Sequence, residues 1–368
     1  MTNNYFKSNK FPIFMPDATY GIVNSISFDD LRNTGTKAIV TNTLHLYLNF
    51  LTSGFENLSF EAISQISSKS FQKFTGWNGG VITDSGGFQA YSFIKKNLGK
   101  IHDDYLEFYS PKNKSKHFLT PEKSIEIQLC LRSNVIIVLD DPIDPDSDPQ
   151  RIKLSVKRTI EWAKRCKDYF KIRLPQIQSF EPEYSPLIFC VIQGGSDFKM
   201  REYCFKALEE IDFDGYGFGG WPMDKNGKFY DELIRFNSEL VRKHSKNISI
   251  HKFNYAMGVG TPDDIVKCLE WGYDLFDCVL PTRNARHGLL YIDKGRGEIG
   301  GENFDYIRIN SQRYLNDNRP ISPNSKINEL RNTSFEYLRY LFKIKDSNAL
   351  RIATLQNLEF YNSFFENK

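Results

Sequence analysis

The sequence predicts an α/β protein built on a (β/α)8 TIM barrel, with inserted elements and a C-terminal helical subdomain. Short apolar runs alternate with longer amphipathic stretches, which is typical of a parallel sheet covered by helices on both faces. Seven strand candidates spread over about 250 residues fit a barrel better than a doubly wound sheet, and one strand then remains to be found. No G-x-x-x-x-G-K-[ST] motif occurs, so the P-loop nucleotide-binding folds lose support.

Most candidate strands are rich in β-branched or aromatic residues, and several end in a polar or glycine-rich turn. They lie at residues 38–42, 80–83, 135–139, 187–192, 215–218, 255–259 and 275–280. Two intervening helices begin with a threonine N-cap followed by proline, at Thr120 and Thr261. Gly272 is expected to end the second of these helices.

The chain changes character near residue 290, which predicts two units. Residues 1–290 are expected to form the catalytic barrel. Residues 291–368 are expected to form a subdomain packed on the barrel rather than an independent domain. Aromatic, helical sequence at 335–342 and 350–365 supports this interpretation.

The composition is that of a folded protein that does not cross a membrane, with 40% hydrophobic and 25% charged residues. No apolar run approaches the roughly 20 residues that a membrane helix needs. The first ten residues have no signal-peptide core, so a cytoplasmic location is expected. All six cysteines are ten or more residues apart, which excludes a disulfide framework or a zinc knuckle.

The net charge of +3 is too small to predict nucleic-acid binding. From residue 281 onward, 14 lysines and arginines stand against 10 acidic residues. This basic C-terminal quarter of the chain suits contact with phosphates, although charge alone favours an ordinary solvated surface.

Polar residues follow many of the candidate strands, at the edge where a barrel of this kind carries its chemistry. Three carboxylates, an amide and a glycine pair meet there: Asp84, Asp140, Gln193, Gly219–Gly220 and Asp277. Each of these alone is explained by a turn. Their shared placement at strand ends favours a site.

Asp277 is the strongest single signal, because an acid within an apolar strand is costly unless it is used. Two arginines, Arg283 and Arg286, follow it on an expected polar loop, so the carboxylate can attack a carbon with anionic neighbours. Phe88 and Met257 are positioned to sandwich the faces of a planar heterocycle. Asp and Gln side chains supply hydrogen bonds to its edge.

The ordered motifs of the chain resemble those of the tRNA-guanine transglycosylase family, also called queuine tRNA-ribosyltransferases. The most specific are TDSGGFQ at 83–89, LTPEKSIEIQ at 119–128, MGVGTP at 257–262 and FDCVLPTRNAR at 276–286. The similarity runs over most of the chain, and it implies a (β/α)8 barrel. It also implies a glycosyltransferase (pentosyltransferase) of queuosine biosynthesis, which exchanges guanine at the tRNA wobble position, G34, for a 7-deazaguanine.

The resemblance implies a role for each candidate residue. Asp277 would attack the ribose C1′ and form a covalent intermediate, and Asp84 would serve as general acid and base. The residues implied to bind the base are Asp140, Gln193, Gly220, Phe88 and Met257. Arg283 and Arg286 would contact the anticodon-loop backbone of the tRNA.

Two parts of the family pattern are missing here. The family usually holds a structural zinc in its C-terminal part, and the ligand positions here carry Ser325, Ile327, Leu330 and Gln356. With no cysteine or histidine after His287, no zinc and no other cofactor are expected. The base pocket also departs from the pattern at Pro142 and between Trp221 and Lys225, so the motifs do not decide between queuine, preQ1 and preQ0.

Two other functions fit the same motifs. One is a DNA-guanine transglycosylase that inserts a 7-deazaguanine into DNA. The other is a non-catalytic RNA-binding partner subunit, although the complete set of acidic and amide residues argues against it. The family commonly forms homodimers through its C-terminal part, so self-association is a further expectation.

Overall fold

An eight-stranded parallel sheet rolls into a barrel at the centre of the molecule. The computed structural model describes residues 5–8, 11–52, 71–144, 147–294, 297 and 299–366. Its strands are β1 (Ile13–Pro16), β2 (Ala38–Thr41), β3 (Gly80–Thr83), β4 (Gly99–Ile101), β5 (Leu106–Tyr109), β6 (Lys116–Leu119), β7 (Val135–Ile137), β8 (Leu187–Ile192), β9 (Gly215–Phe218), β10 (Phe253–Ala256), β11 (Leu275–Cys278), β12 (Leu289–Ile292), β13 (Ile299–Gly300) and β14 (Asp305–Arg308).

Helices cover the outside of the barrel and continue into the C-terminal part. They are α1 (Tyr5–Ser8), α2 (Phe28–Asn33), α3 (Thr43–Thr52), α4 (Phe71–Thr75), α5 (Gly87–Lys95), α6 (Pro121–Cys130), α7 (Pro149–Gln178), α8 (Phe198–Ile211), α9 (Asp231–Ile248), α10 (Pro262–Trp271), α11 (Leu280–Arg286), α12 (Asn328–Asn332), α13 (Phe335–Lys343) and α14 (Ser347–Glu366). Within the described residues, no helix is both long and apolar enough to cross a membrane.

The order of the barrel strands is β1-β11-β10-β9-β8-β7-β3-β2, and every neighbouring pair is parallel. A parallel bridge between Asp17 and Val40 brings the two ends of this sheet together. The Ala18 N–H donates to the Val40 carbonyl at 2.7 Å beside it. The predicted (β/α)8 fold is therefore confirmed, and the strand that the sequence left to be found is β1.

Two local predictions are wrong, each for a simple backbone reason. The strand expected at 255–259 spans Phe253–Ala256, because Gly258 takes a φ of +72° and turns the chain out of the sheet. The polar loop expected around Arg283 is helix α11. The strand expected at 275–280 ends at Cys278, because Leu280 already begins this helix and Pro281 lies in its first turn.

The other helix signals are confirmed. Thr120 and Thr261 cap α6 and α10 through their side chains, and Gly272 ends α10 with a φ of +88°. The helices expected over 335–342 and 350–365 are α13 and α14. Strands β4 to β6 form an inserted antiparallel sheet, and β12 to β14 form another after the barrel. The division of the chain at residue 290 stays a prediction.

The interior of the barrel is filled with apolar side chains, so it is a core and not a pore. Strand residues of one cluster fill it: Ile13, Met15, Ala38, Ile82, Val135, Ile137, Leu187, Phe189, Val191, Phe253, Tyr255 and Leu275. Because this core is closed, a ligand can enter only at a mouth of the barrel.

A buried arginine joins the ends of two barrel strands. Arg201 of α8 is 1% exposed, and its guanidinium donates to the carbonyls of Ile192, Gly195 and Gly219 at 2.8 to 3.0 Å. It also lies 4.2 Å from the ring centre of Phe218. Burial lowers the pKa of Arg201 to about 10. This cation fixes the glycine-rich turns that follow β8 and β9.

Replacing Arg201 by methionine is expected to lower the free energy of unfolding by roughly 2–4 kcal/mol, because three buried carbonyls lose their donor. Urea unfolding followed by circular dichroism measures this loss. The matched control is Arg235→Met, because Arg235 is exposed and pairs with Glu239 one helical turn away. That control is expected to cost less than about 0.5 kcal/mol. Equal losses in the two variants would contradict the role assigned to Arg201.

Candidate active site

The carboxyl ends of the barrel strands surround a cavity of about 490 Å³. A cavity of this size suits a small organic ligand. Seven residues that the sequence assigned to a site line it: Asp84, Phe88, Asp140, Gln193, Gly220, Met257 and Asp277. The two predicted arginines do not line it and lie on α11, directly after the strand of Asp277.

Asp84 follows β3 and is fixed by neutral donors. Its Oδ1 accepts the backbone N–H groups of Thr43 and Gly86, at 2.9 and 3.0 Å. Its Oδ2 accepts the side-chain amide of Asn42 at 2.6 Å. Gly86 directs its N–H to the carboxylate from a left-handed conformation, with a φ of +77°, that glycine adopts at little cost.

Asp277 has its two protein donors on the same carboxylate oxygen. The Tyr255 hydroxyl donates to Oδ1 at 2.8 Å, and the Gly258 N–H donates to Oδ1 at 3.1 Å. The side chain lines the cavity and is half-buried. This geometry fixes the rotamer through Oδ1 and leaves Oδ2 as the oxygen suited to attack.

Burial changes the protonation of both acids. It raises the pKa of Asp84 to about 7, against the lowering effect of the two backbone N–H donors. It raises the pKa of Asp277 to about 6, against the donors Gly258 and Tyr255. Near neutral pH, the first acid can hold a proton while the second is mostly ionised. One carboxyl can therefore act as an acid while the other acts as a nucleophile.

Asp140 and Gln193 form a buried polar pair just beyond the ends of the adjacent strands β7 and β8. The Gln193 amide donates from Nε2 to Asp140 Oδ2 at 2.7 Å. Burial raises the pKa of Asp140 to about 6. Among the described residues, the buried Gln193 Oε1 has no hydrogen-bond partner. An orphaned acceptor beside a carboxylate fits a ligand edge that carries N–H donors.

Asp141 has a different role from its neighbour Asp140. It is fully buried and turned toward α7, where Arg151 donates to it at 2.7 Å and Arg158 at 3.4 Å. These ion pairs hold the strand end against the helix. Of the two adjacent acids, only Asp140 lines the cavity.

Aromatic side chains stand at the mouth of the cavity. Phe88 is 47% exposed and meets Trp221 edge to face, with ring centres 5.1 Å apart. The Trp221 indole N–H donates to Asp144 at 3.2 Å, and Lys95 pairs with the same carboxylate at 2.8 Å. Met257 lines the cavity from the end of β10. The mouth thus offers flat and polarisable surfaces to a planar ring.

The positions that depart from the family pattern divide into two groups. Pro142, Trp221 and Pro222 line the cavity. Lys225 is exposed in the following turn and does not line it. Pro142, Trp221 and Pro222 are therefore the changed residues that can contact a ligand in the cavity, and Lys225 is not.

Three residues that the sequence did not assign complete the site: Tyr255, Asn42 and Asp17. Tyr255 lies within strand β10 and not at its end, and its partner Asp277 is on the neighbouring strand. No sequence motif predicts such a contact between strands. Asn42 and Asp17 follow β2 and β1, so the strand-end rule that found Asp84 would have found them. Asp17 was missed because β1 was missed.

The residues at the family's zinc-ligand positions do not fit a zinc ion. Ser325 donates through its hydroxyl to Glu359 at 2.6 Å, and Gln356 donates through its amide to the Tyr291 carbonyl at 2.9 Å. Leu330 is fully buried in the apolar core, and Ile327 packs against that core. A hydroxyl, an amide and two hydrocarbons do not supply the thiolate or imidazole donors of a structural zinc site.

Comparison with known proteins points to one family. A family model described as queuine tRNA-ribosyltransferase matches residues 2–367. A queuine tRNA-ribosyltransferase of Buchnera aphidicola subsp. Schizaphis graminum is 33% identical over 357 residues, covering 97% of this chain and 87% of the relative. One of Thermodesulfovibrio yellowstonii is 35% identical over 355 residues, covering 96% and 83%.

The raised pKa of Asp277 predicts that Asp277→Asn stabilises the fold. The native pKa of about 6 exceeds the ordinary 3.8, so the wild type loses stability as pH rises through this interval. The asparagine keeps an oxygen for both donors and carries no charge. The gain in unfolding free energy, measured with urea, is expected to be on the order of 1–3 kcal/mol at pH 8 and near zero at about pH 4.

Asp141→Asn is the matched control for this prediction, because it is the same substitution beside the same cavity. It removes half of a buried ion pair and is expected to destabilise the protein at pH 8. A loss of stability in Asp277→Asn at pH 8 would contradict the assigned electrostatics.

Proposed function

This chain belongs to the queuine tRNA-ribosyltransferase family and is a glycosyltransferase, and from that premise we propose that it replaces guanine at the tRNA wobble position with a 7-deazaguanine. The proposed incoming base is queuine, preQ1 or preQ0. One observation supports the chemistry above all. The Oδ2 of Asp277 is left as the attacking oxygen, in the same cavity as an acid with a pKa of about 7.

In the first proposed step, Asp277 Oδ2 attacks C1′ of the wobble ribose. The glycosidic bond breaks, its electron pair leaves with guanine, and the Asp84 proton neutralises the leaving base. An aspartyl-ribosyl ester remains, with oxocarbenium character in the transition state. The Tyr255 hydroxyl and the Gly258 N–H stay on Oδ1, which becomes the ester carbonyl oxygen.

In the second proposed step, the incoming base attacks C1′ from the side that guanine left. Asp84, now ionised, accepts the proton of the incoming nitrogen. The ester bond breaks and returns a carboxylate to Asp277. The same two donors then stabilise the negative charge that forms on this carboxylate.

The base-binding part of the proposal uses the arc from β7 to β10. Asp140 accepts from the N–H groups on the Watson–Crick edge of the base, and Gln193 and the Gly220 backbone bind the adjoining edge. Phe88 and Met257 contact the ring faces. The target base must leave the anticodon stack to reach this depth.

We propose that Arg283 and Arg286 bind phosphates of the anticodon loop. Arg283 is exposed and Arg286 is half-buried on α11, beside the nucleophile. Such contacts position the RNA without reading its sequence. Since the substrate is tRNA, the enzyme is expected to work in the cytoplasm.

We further propose that the C-terminal part works without zinc, because Ser325 and Gln356 are engaged in hydrogen bonds of their own. We also propose that the protein forms a homodimer through this C-terminal part. Tyr337 and Tyr340 of α13 are 52% and 54% exposed, with nearly parallel rings 6.5 Å apart. Exposed paired aromatics of this kind are frequent in protein interfaces.

The exchange reaction is tested with guanine-labelled tRNA and candidate 7-deazaguanines. Label is expected to leave tRNA in the presence of enzyme, and a covalent enzyme–RNA adduct is expected on a denaturing gel. Asp277→Asn should abolish the adduct and lower label release by at least about 10³-fold, as for the loss of other nucleophiles. Asp168→Ala, which removes an exposed carboxylate on helix α7 that does not line the cavity, is the control that should behave as wild type.

Three outcomes would contradict parts of this proposal. An adduct that survives in Asp277→Asn would remove Asp277 as the nucleophile. Release from DNA and not from tRNA would move the activity to the DNA branch. Binding of tRNA without release from either polymer would favour a non-catalytic partner subunit.

The first step is expected to have a bell-shaped pH profile. It needs ionised Asp277, so the rate should fall as pH drops below about 6. It also needs protonated Asp84, so the rate should fall as pH rises above about 7. Single-turnover release of labelled guanine between pH 4.5 and 9 measures both limbs. A rate that still rises between pH 7 and 9 would contradict the acid role of Asp84.

A further inference from the structure

A third carboxylate lines the cavity, and the exchange chemistry above does not use it. Asp17 directly follows β1 and forms the bridge to Val40 that joins the two ends of the barrel sheet. Its side chain lines the same cavity as Asp84 and Asp277. It interacts electrostatically with both of these acids and with Arg286.

The order of strands around the rim places Asp17 opposite the base-binding residues. The first arc of the rim runs from β3 through β7, β8, β9 and β10 to β11. Asp84 stands at one end of this arc, Asp277 stands at the other, and the proposed base site lies between them. The remaining arc consists of β1 and β2, which carry Asp17 and Asn42. The reacting C1′ must lie between Asp84 and Asp277. If the base occupies the first arc, the ribose must face the second.

Asp17 lies on this second arc and can accept a hydrogen bond from a sugar, whereas Asn42 cannot do so readily. The Asn42 side chain is engaged at both ends, since its amide donates to Asp84 at 2.6 Å and its oxygen accepts the His45 N–H at 2.8 Å. The Thr19 hydroxyl donates to Asp17 Oδ1 at 2.6 Å. A carboxylate has lone pairs for about four donors, so Asp17 can still accept from a ligand.

We propose that Asp17 accepts a hydrogen bond from the 2′-hydroxyl of the nucleotide whose base is exchanged, and so makes the site selective for ribose over deoxyribose. The 2′-hydroxyl is carried by the carbon next to C1′, so it is the sugar hydroxyl closest to the reacting centre. It is also the group by which a protein distinguishes RNA from DNA at one nucleotide. The inference rests on the proposed function, because it assigns the sugar side of the same reaction.

A hydrogen bond from a 2′-hydroxyl has added value in this chemistry. In related sugar-transfer reactions, contacts to the hydroxyl next to the anomeric carbon strengthen as the ring becomes oxocarbenium-like. The expected effect is therefore on the rate of reaction as well as on binding. For a bond to a charged acceptor, loss of the hydroxyl is expected to lower kcat/KM by about 10- to 100-fold.

The experiment uses two synthetic anticodon stem-loops that differ at one atom. One carries guanosine at the target position and the other carries 2′-deoxyguanosine there, in an otherwise identical RNA. Release of labelled guanine gives kcat/KM for each, and the wild type is expected to favour the ribose substrate by about 10- to 100-fold. In Asp17→Ala this ratio should fall to within about threefold of unity. Asp17→Asn keeps an acceptor oxygen and should give a ratio in between.

The ratio separates substrate selectivity from damage to the fold. Asp17 also stabilises its own turn through Thr19, so its replacement can lower the fraction of active enzyme. Such damage lowers both rates equally and leaves the ratio unchanged. Asp168→Ala removes an exposed carboxylate on helix α7, outside the cavity, and should keep the wild-type ratio.

The outcomes distinguish this inference from the function on which it rests. If the wild type releases guanine from both substrates at similar rates, or if Asp17→Ala keeps the wild-type ratio, the inference is overturned and the proposed exchange reaction stands. If the wild type releases no guanine from the ribose substrate, the proposed function itself fails and the inference fails with it.

Discussion

The site depends on one electrostatic constraint, which is that several carboxylates are held together in a partly enclosed cavity at the mouth of the barrel. The donors that reach Asp84 and Asp277 are backbone N–H groups, an amide and a phenol. These uncharged donors hold the carboxylates in place but stabilise their negative charge less than a cation would. Burial therefore raises the pKa values of both acids toward neutrality. Asp141 shows the contrast, because two arginines hold it in place and it has a purely structural part.

The cation that supports this mouth lies behind it. Arg201 binds carbonyl oxygens at the ends of β8 and β9, where a carboxylate partner would have added another charge. It stabilises the turns that present Gln193 and Gly220, and the walls of the cavity stay polar through amides. The acids therefore titrate under the influence of their burial and of one another. Among the residues that the structure describes, no lysine or arginine side chain is hydrogen-bonded to Asp84 or Asp277.

Much of this site could be predicted because the carboxyl ends of parallel strands meet at one edge. That rule placed Asp84, Asp140, Gln193 and Asp277 together from their positions after or within apolar runs. It failed at β1, whose four residues end in proline and resemble an ordinary loop. The residues after β1 were lost with it, including Asp17.

Contacts between strands are the part that a single sequence does not carry. Tyr255 meets Asp277 because β10 and β11 pair with Tyr255 beside Leu275, a register set by the whole barrel. The helix α11 was missed for a local reason, since a proline predicts the end of a strand and equally suits the first turn of a helix. Rules that apply to a single strand or helix therefore predicted which side chains line the cavity. The register between strands decided which neighbouring groups hydrogen-bond to them.

The way the barrel closes has a consequence for the order in which the protein matures. Strand β1 pairs with β11, and the last helix, α14, covers the first strand, where Phe14 packs on Tyr361 with ring centres 5.0 Å apart. Arg351 of the same helix pairs with Asp30 near the start of the chain at 2.6 Å. The ribosome must therefore release the chain beyond Cys278 before β1 can pair with β11. Until then, the unpaired edge of β1 can pair with strands of other nascent chains, which favours aggregation.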